Sequence, residues 1–335
     1  MPSEPTVLAE RDGRVGRIVL NRPKALNALD IGMIRACTAA LRDWQDDPRV
    51  HAVVIEGAGE RAFCAGGDIR AIRQFHLEKR PDLVDAFFSE EYALNFLIAT
   101  YPKPYIALVD GICMGGGIGV SVHGAYRVAT ENAGFAMPET DIGFLPDIGA
   151  TYFLPRLPGR LGFYLALTGT RMIGADAVHA GFATHFTPRE QLPALSRDLA
   201  ADGPSVLAPY AAPLPRFSLA AHRATIDAAF SGANMAAILH TLENASDEFS
   251  RHTAAILRTR SPSSLVWSLR LLQAGEERTL RQCLDAELRA TRTVTPHHEF
   301  IEGVRAQVVE KDRQPHWQPS RVEDVDPAEI DRLLS

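Results

Sequence analysis

Two carboxylates, Glu139 and Asp147, stand in a segment (residues 135–149) that is otherwise rich in apolar, glycine and proline residues. A solvated surface loop would be more polar. A carboxylate withdrawn from water is costly unless it has partners, and its surroundings can tune it for proton transfer or attack. Upstream lies a glycine cluster, Met114-Gly115-Gly116-Gly117-Ile118-Gly119. Backbone N–H groups exposed at such a turn can meet an oxyanion. Carboxylates together with oxyanion donors are the minimum equipment for chemistry at a carbonyl.

A second glycine site, Phe63-Cys64-Ala65-Gly66-Gly67-Asp68-Ile69, follows a β-rich run and precedes a helical pattern. The Gly67 N–H is the group of interest there. Asp68 reads as a helix cap, and Cys64 as a small core residue, because no basic group lies near it in sequence. The glycine cluster at 115–119 has no GK[ST] and is not GxGxxG, so it fails as a nucleotide loop. It is either a plain strand-to-helix turn or a helix start whose N–H groups face a ligand. Glu91 shares an i±3/i±4 stripe with Phe87, Phe88, Leu94 and Asn95, which makes it a structural ion-pair member or a site residue. No serine occupies a GxSxG elbow, which argues against an α/β-hydrolase.

The elements that must position these groups follow from periodicity. Residues 6–10 and 15–20 are β-rich around Arg11-Asp12-Gly13, a hairpin signal. Asp30 is placed to cap a helix reaching about residue 45. Strands are expected at 51–56 and 105–109, and helices from about 68, over 83–99 and over 116–123. Alternating strands and helices predict an α/β core. Beyond about residue 155 the pattern turns helical, with Pro204, Pro209, Pro213 and Pro215 marking a boundary or long loop. Further helices are expected near 232–244, 262–274 and 279–292, followed by an irregular tail around Pro315, Trp317 and Pro319.

Composition narrows the class. The chain has 335 residues, 46% of them hydrophobic and 23% charged, with a net charge of −6. That predicts a packed globular core and no nucleic-acid or anionic-membrane partner. The four cysteines, Cys37, Cys64, Cys113 and Cys283, are dispersed with no zinc spacing, so no metal is expected and reduced thiols are. The polar, acidic start Met1-Pro2-Ser3-Glu4-Pro5 shows neither a signal nor a transit pattern, and a cytoplasmic enzyme is expected. Apolar runs are too short to cross a membrane.

Taken together, the chain resembles the crotonase superfamily, the enoyl-CoA hydratase/isomerase family. The resemblance rests on Leu20-Asn21-Arg22-Pro23-Lys24-Ala25-Leu26-Asn27-Ala28-Leu29, on Ala65-Gly66-Gly67-Asp68-Ile69, on the stretch from Asp110-Gly111 to Gly119, on Pro138-Glu139, and on Thr168-Gly169 onward. Within it, the chain is most similar to the 3-hydroxyisobutyryl-CoA hydrolase branch. That likeness is carried by Glu90-Glu91-Tyr92, Pro146-Asp147, Phe153-Leu154-Pro155-Arg156-Leu157, Ser261-Pro262-Ser263-Ser264 and Glu302-Gly303-Val304-Arg305-Ala306. The resemblance implies a spiral of ββα units as an acyl-CoA-binding core over residues 1–200, and a helical C-terminal region over 201–335 that covers the site.

It also implies an oxyanion hole from the N–H groups of Gly67 and Gly116. Glu139 would attack the thioester or activate water, Asp147 would bind the acyl hydroxyl or assist proton transfer, and Glu91 would contact the hydroxyacyl group. Typical hydratases carry a second catalytic Glu where this chain has Gly119, and a Gly where it has Asp147. The implied activity is hydrolysis of 3-hydroxyisobutyryl-CoA, a step of valine degradation, with CoA as part of the substrate and no separate cofactor. Family members often form trimers or pairs of trimers, so the resemblance implies a homo-oligomer of that kind as an expectation. The alternatives are an enoyl-CoA hydratase or isomerase working through Glu139 alone, and a non-catalytic acyl-CoA-binding member.

Overall fold

The structure, a computed structural model, describes residues 4–334, so the part of the N-terminal reading that falls on Met1, Pro2 and Ser3 lies outside the described residues. The chain divides into two compact units, each discontinuous in sequence. One comprises residues 1–68, 89–135 and 172–217, and contains nearly all the strands; the other comprises 69–88, 136–171 and 218–335, and is helical.

The sheet unit begins with the expected hairpin. Strands β1 (Val7–Asp12) and β2 (Val15–Leu20) pair antiparallel from Val7↔Leu20 to Asp12↔Val15. Helix α1 (Ile31–Gln45) follows, with the Asp30 carboxylate accepting from the Met33 N–H at 2.8 Å as an N-cap. From there a two-strand, one-helix pattern recurs. Strands β3 (Ala52–Gly57) and β4 (Ala62–Cys64) precede helices α2 (Ile69–Leu77) and α3 (Pro81–Ala99). Strands β5 (Tyr105–Val109) and β6 (Ile112–Met114) precede helix α4 (Gly116–Val122). Strands β7 (Tyr126–Ala129) and β8 (Gly134–Ala136) come next, then the short β9 (Met172–Ile173) and β10 (His185–Phe186).

Each repeat sends its first strand to one sheet and its second strand to another. The described strands therefore form a sheet ordered β1-β2-β3-β5-β7-β10 and a smaller one ordered β4-β6-β8-β9. From β2 onward the larger sheet is parallel. Its central strands β3 and β5 read as near-continuous buried apolar runs, Ala52-Val53-Val54-Ile55 and Tyr105-Ile106-Ala107-Leu108-Val109, as strands covered on both faces do. Val15, Ala52, Val54, Ile106, Leu108 and Val128 pack against Leu195 and Leu199 of the helix Leu192–Asp202.

Two expectations are revised. The proline-rich stretch near 204–215 is not simply a loop: it holds the short turns Gly203–Val206 and Leu207–Tyr210, and Leu207 is buried in the sheet core. The tail ends in a helix, Pro327–Leu334, because proline at the first turn and a buried Ile330 let it dock on its neighbours.

The motif at residues 20–29 is structural here. Asn27 is fully buried with φ 55°; its Oδ1 accepts from the Arg22 N–H at 2.9 Å, and its Nδ2 donates to the Ala58 and Ala62 carbonyls, each at 2.9 Å. Arg22 donates to the Ala28 carbonyl at 2.7 Å and reaches Asp68 at 3.3 Å. Replacing Asn27 with alanine removes the donor to one buried carbonyl, Ala62, and one half-buried carbonyl, Ala58, and the acceptor of the Arg22 N–H. Asn27→Ala should therefore lower unfolding free energy by about 2–3 kcal/mol in urea titrations, and a loss below about 0.5 kcal/mol would contradict this account.

Candidate active site

In the sheet unit, three of the residues singled out in the sequence come together. Gly67 follows β4 and Gly116 follows β6, and these two short strands are parallel neighbours. Strands that pair side by side release their chains side by side, so the two glycine turns emerge adjacent. Gly67 is held from its other side by a bridge to Leu29: the Leu29 N–H donates to the Gly66 carbonyl and the Asp68 N–H to the Leu29 carbonyl, both at 2.8 Å.

A Cβ built on Gly116 would collide with Glu91 Oε1 and come 3.1 Å from the Gly67 nitrogen. Any larger residue at 116 would have to displace the Glu91 carboxyl and would crowd the Gly67 backbone. Gly116 is the first residue of α4, so its N–H has no partner within the helix. The Gly67 and Gly116 backbones and the buried Glu91 carboxyl thus lie side by side.

Glu91, only 2% exposed, lies on α3 one turn before Asn95, which is fully buried and whose amide oxygen and nitrogen both lack a hydrogen-bond partner among the described residues. The apolar stripe that flagged Glu91 therefore carries two buried polar groups, not one. Cys64 is inert: it is fully buried, and burial pushes its thiol up to about 12.

In the helical unit the other two predicted residues come together. Glu139 opens a 3₁₀ turn, Glu139–Ile142, behind Pro138, and Gly143 ends it in the left-handed region. Neighbouring helices clamp this turn. Arg260 pairs with Asp141, the Ser261 N–H donates to the Thr140 carbonyl at 3.2 Å, and Trp267 Nε1 donates to the Phe144 carbonyl at 3.0 Å. Glu139 and Asp147 are each 5% exposed. Burial, and then the charge of Asp147, push the Glu139 carboxyl well above the usual range. Its Oε2 is buried without a hydrogen-bond partner among the described residues.

A third carboxylate joins them that sequence reading passed over. Glu287, in the helix Leu280–Val294, is fully buried and accepts from the Gly149 N–H at 2.7 Å, the Thr151 N–H at 2.9 Å and the Thr151 hydroxyl at 2.5 Å. Burial is the main influence raising it to about 8, and the charge of Asp147 adds to the rise. Its signal was present: Cys283, Leu284, Ala290 and Thr291 surround it at i±3 and i±4, the same mark that singled out Glu91. Among the described residues, no group of three or more His, Cys, Asp or Glu side chains is arranged to hold a metal ion. No helix among them is long and apolar enough to cross a membrane.

Comparison with known proteins agrees with this architecture. The family described as Enoyl-CoA hydratase/isomerase matches residues 15–334. The chain belongs to that family, and its α/β architecture is the crotonase fold. It is 46% identical to a Xenopus tropicalis protein named 3-hydroxyisobutyryl-CoA hydrolase, mitochondrial, over 98% of this chain and 88% of that one. Among solved structures, it superposes with a TM-score of 0.94 on a protein from Mycobacterium thermoresistibile described as a carnitinyl-CoA dehydratase, at 39% identity over 99% of this chain and 97% of that one. A Rhodobacter sphaeroides protein described as an enoyl-CoA hydratase gives the same TM-score at 38% identity, with coverage again 99% and 97%.

The expectation of a cytoplasmic enzyme is corrected, since the Xenopus protein and other relatives are named as mitochondrial. Dispersed thiols and a mildly acidic composition suit any reducing compartment, so they do not discriminate between them.

The buried carboxyl at 139 has a cost that depends on pH. Its folded-state pKa lies above the ordinary 4.5, so between 4.5 and that raised value the folded state binds more protons than the unfolded one, and stability falls as pH rises. Glu139→Gln removes the titrating group. Its stability gain in urea titrations should be small near about pH 5 and reach at least about 1 kcal/mol near about pH 8. A gain that does not grow with pH would contradict burial as the cause.

Proposed function

We propose that this chain is an acyl-CoA thioester hydrolase acting on 3-hydroxyisobutyryl-CoA. The observation that carries the reading is the buried, electrostatically coupled pair Glu139 and Asp147, in a chain with Gly119 where the related hydratases place a second catalytic carboxylate. A hydratase must take a proton from water and deliver one to carbon, which calls for two cooperating groups on the water. A hydrolase needs attack at one carbonyl, stabilisation of one oxyanion and departure of a thiolate. The family relatives named as 3-hydroxyisobutyryl-CoA hydrolases support the same reading.

In this reading the N–H groups of Gly67 and Gly116 form the oxyanion hole for the thioester carbonyl oxygen. Glu139, once ionised, drives the attack as nucleophile or as the base that activates water. The carbon–sulfur bond breaks, CoA leaves as the thiol, and water supplies the oxygen and proton that complete the acid. Asp147 binds the acyl hydroxyl or relays a proton, and Glu91 contacts the hydroxyacyl group. CoA is part of the substrate, and no other cofactor takes part. The helical region at 201–335 shields the reacting groups, and the chain assembles as a trimer or a pair of trimers.

The direct test is thiol release from 3-hydroxyisobutyryl-CoA, followed with a chromogenic thiol reagent. Release is expected, and more slowly from 3-hydroxypropionyl-CoA. No release above background, together with hydration of crotonyl-CoA, would favour the enoyl-CoA hydratase reading that the two solved relatives bring to mind. A single turnover in heavy-oxygen water tests the nucleophile role, since label found in the Glu139 carboxyl requires a covalent acyl–Glu139 intermediate.

Variants sharpen the assignment. Glu139→Gln should lose several orders of magnitude in kcat while CoA binding persists. Glu91→Gln should lose less. Asp147→Gly should lose about tenfold or more in thiol release and gain no hydratase activity, because Gly119 still leaves the second carboxylate absent. Parent-level hydrolysis in Asp147→Gly would remove it from the mechanism.

A further inference from the structure

Asp147 is followed by an unusual stretch of backbone. Ile148, a β-branched residue, has φ 57°, and Gly149 has φ 81°, so two consecutive residues occupy the left-handed region. Glycine takes that conformation freely, but a β-branched residue does so only when its surroundings hold it there. The Ala150 N–H closes the turn by donating to the Asp147 carbonyl at 2.8 Å. The Gly149 carbonyl accepts from the Tyr152 and Phe153 N–H groups that follow, at 3.0 and 3.1 Å. Three bonds, from the Gly149 N–H, the Thr151 N–H and the Thr151 hydroxyl, end on one carboxylate, Glu287, from a helix more than 130 residues later in the chain.

We propose that Glu287 is a positioning residue: by anchoring Gly149 and Thr151 it holds the strained turn at Ile148 and so fixes the direction of Asp147. Both oxygens of Glu287 are engaged, Oε2 by Gly149 and Oε1 by Thr151, so the carboxylate grips the turn at two points and resists rotation of the segment. All three donors favour its ionised form. A fully buried carboxyl group facing another carboxylate would be a liability with no purpose beyond packing, since an apolar side chain would fill the space more cheaply. It is accounted for if the turn must have this shape. Glu287 touches no reacting atom and acts through Asp147.

The inference rests on the hydrolase reading for its kinetic consequences but not for its structural ones, and the experiment separates the two. Amide hydrogen exchange is measured in the whole protein. In Glu287→Gln, exchange at Gly149 and Thr151 should speed by about tenfold or more while that of Ile106 in the sheet stays at the parent rate. In thiol release from 3-hydroxyisobutyryl-CoA, the same variant should lose about tenfold in kcat with KM within about threefold. Thr151→Val should lose part of that, and Thr151→Ser, which restores the hydroxyl donor, should recover it.

The decisive comparison is a double-mutant cycle. Placed in an Asp147→Asn background, Glu287→Gln should cost less than about twofold further in kcat, because its effect passes through the side chain already disabled. Unchanged exchange at Gly149 and Thr151, or a full multiplicative loss in the Asp147→Asn background, would overturn the proposal. A parent enzyme that releases no thiol would defeat the hydrolase reading instead. The exchange rates would then decide the holding role of Glu287 without reference to activity.

Discussion

Burying three carboxyl groups together is the constraint around which the helical unit is arranged. Glu139, Asp147 and Glu287 are each at most 5% exposed, and Asp147 raises the pKa of both of the others. Ionising one of them away from water costs several kcal/mol unless neighbours restore what water supplied. The neighbours are visible for Glu287, which has three donors, and lacking among the described residues for the Oε2 of Glu139. One carboxylate is therefore bound into the frame while the other keeps an oxygen uncommitted. That difference suits a division between a group that holds and a group that reacts.

The frame needed for this is unusually rigid at the backbone. Gly143 allows no Cβ, because one would meet the Glu299 backbone, and Glu299 is itself buried and bonded to Ser261 and to the Gln318 N–H. The turn at Ile148 stores strain of about 1–3 kcal/mol. Strain of that kind persists only where the surroundings over-determine it, and Glu287 together with the packed helices Pro262–Gly275 and Leu280–Val294 does so.

The sheet unit solves a different problem by simpler means. Its two glycine turns are adjacent because β4 and β6 are adjacent, a consequence of a repeating pattern that adds one strand to each sheet in turn. Asn27 and Arg22 then lock the loop that braces Gly67. The fold is shared with relatives of differing described activities, so the architecture alone does not decide the chemistry.

The hairpin at Asp12-Gly13, the cap at Asp30, the strand at 105–109 and the helices on either side were legible because each is set by local chemistry and period. The same holds for the chemical types at the site: glycines after short strands, and carboxylates on apolar stretches, announce themselves in one dimension. The helix at Pro327–Leu334 and the burial of Leu207 were not legible, since both depend on what they pack against. Nor was the partnership of Glu287 with Gly149 and Thr151. The residue pattern by itself determined which family the chain belongs to and which fold carries it. Only the tertiary structure decided which donors each carboxylate receives, because hydrogen bonds between segments more than 130 residues apart are fixed by packing and leave no mark in local sequence.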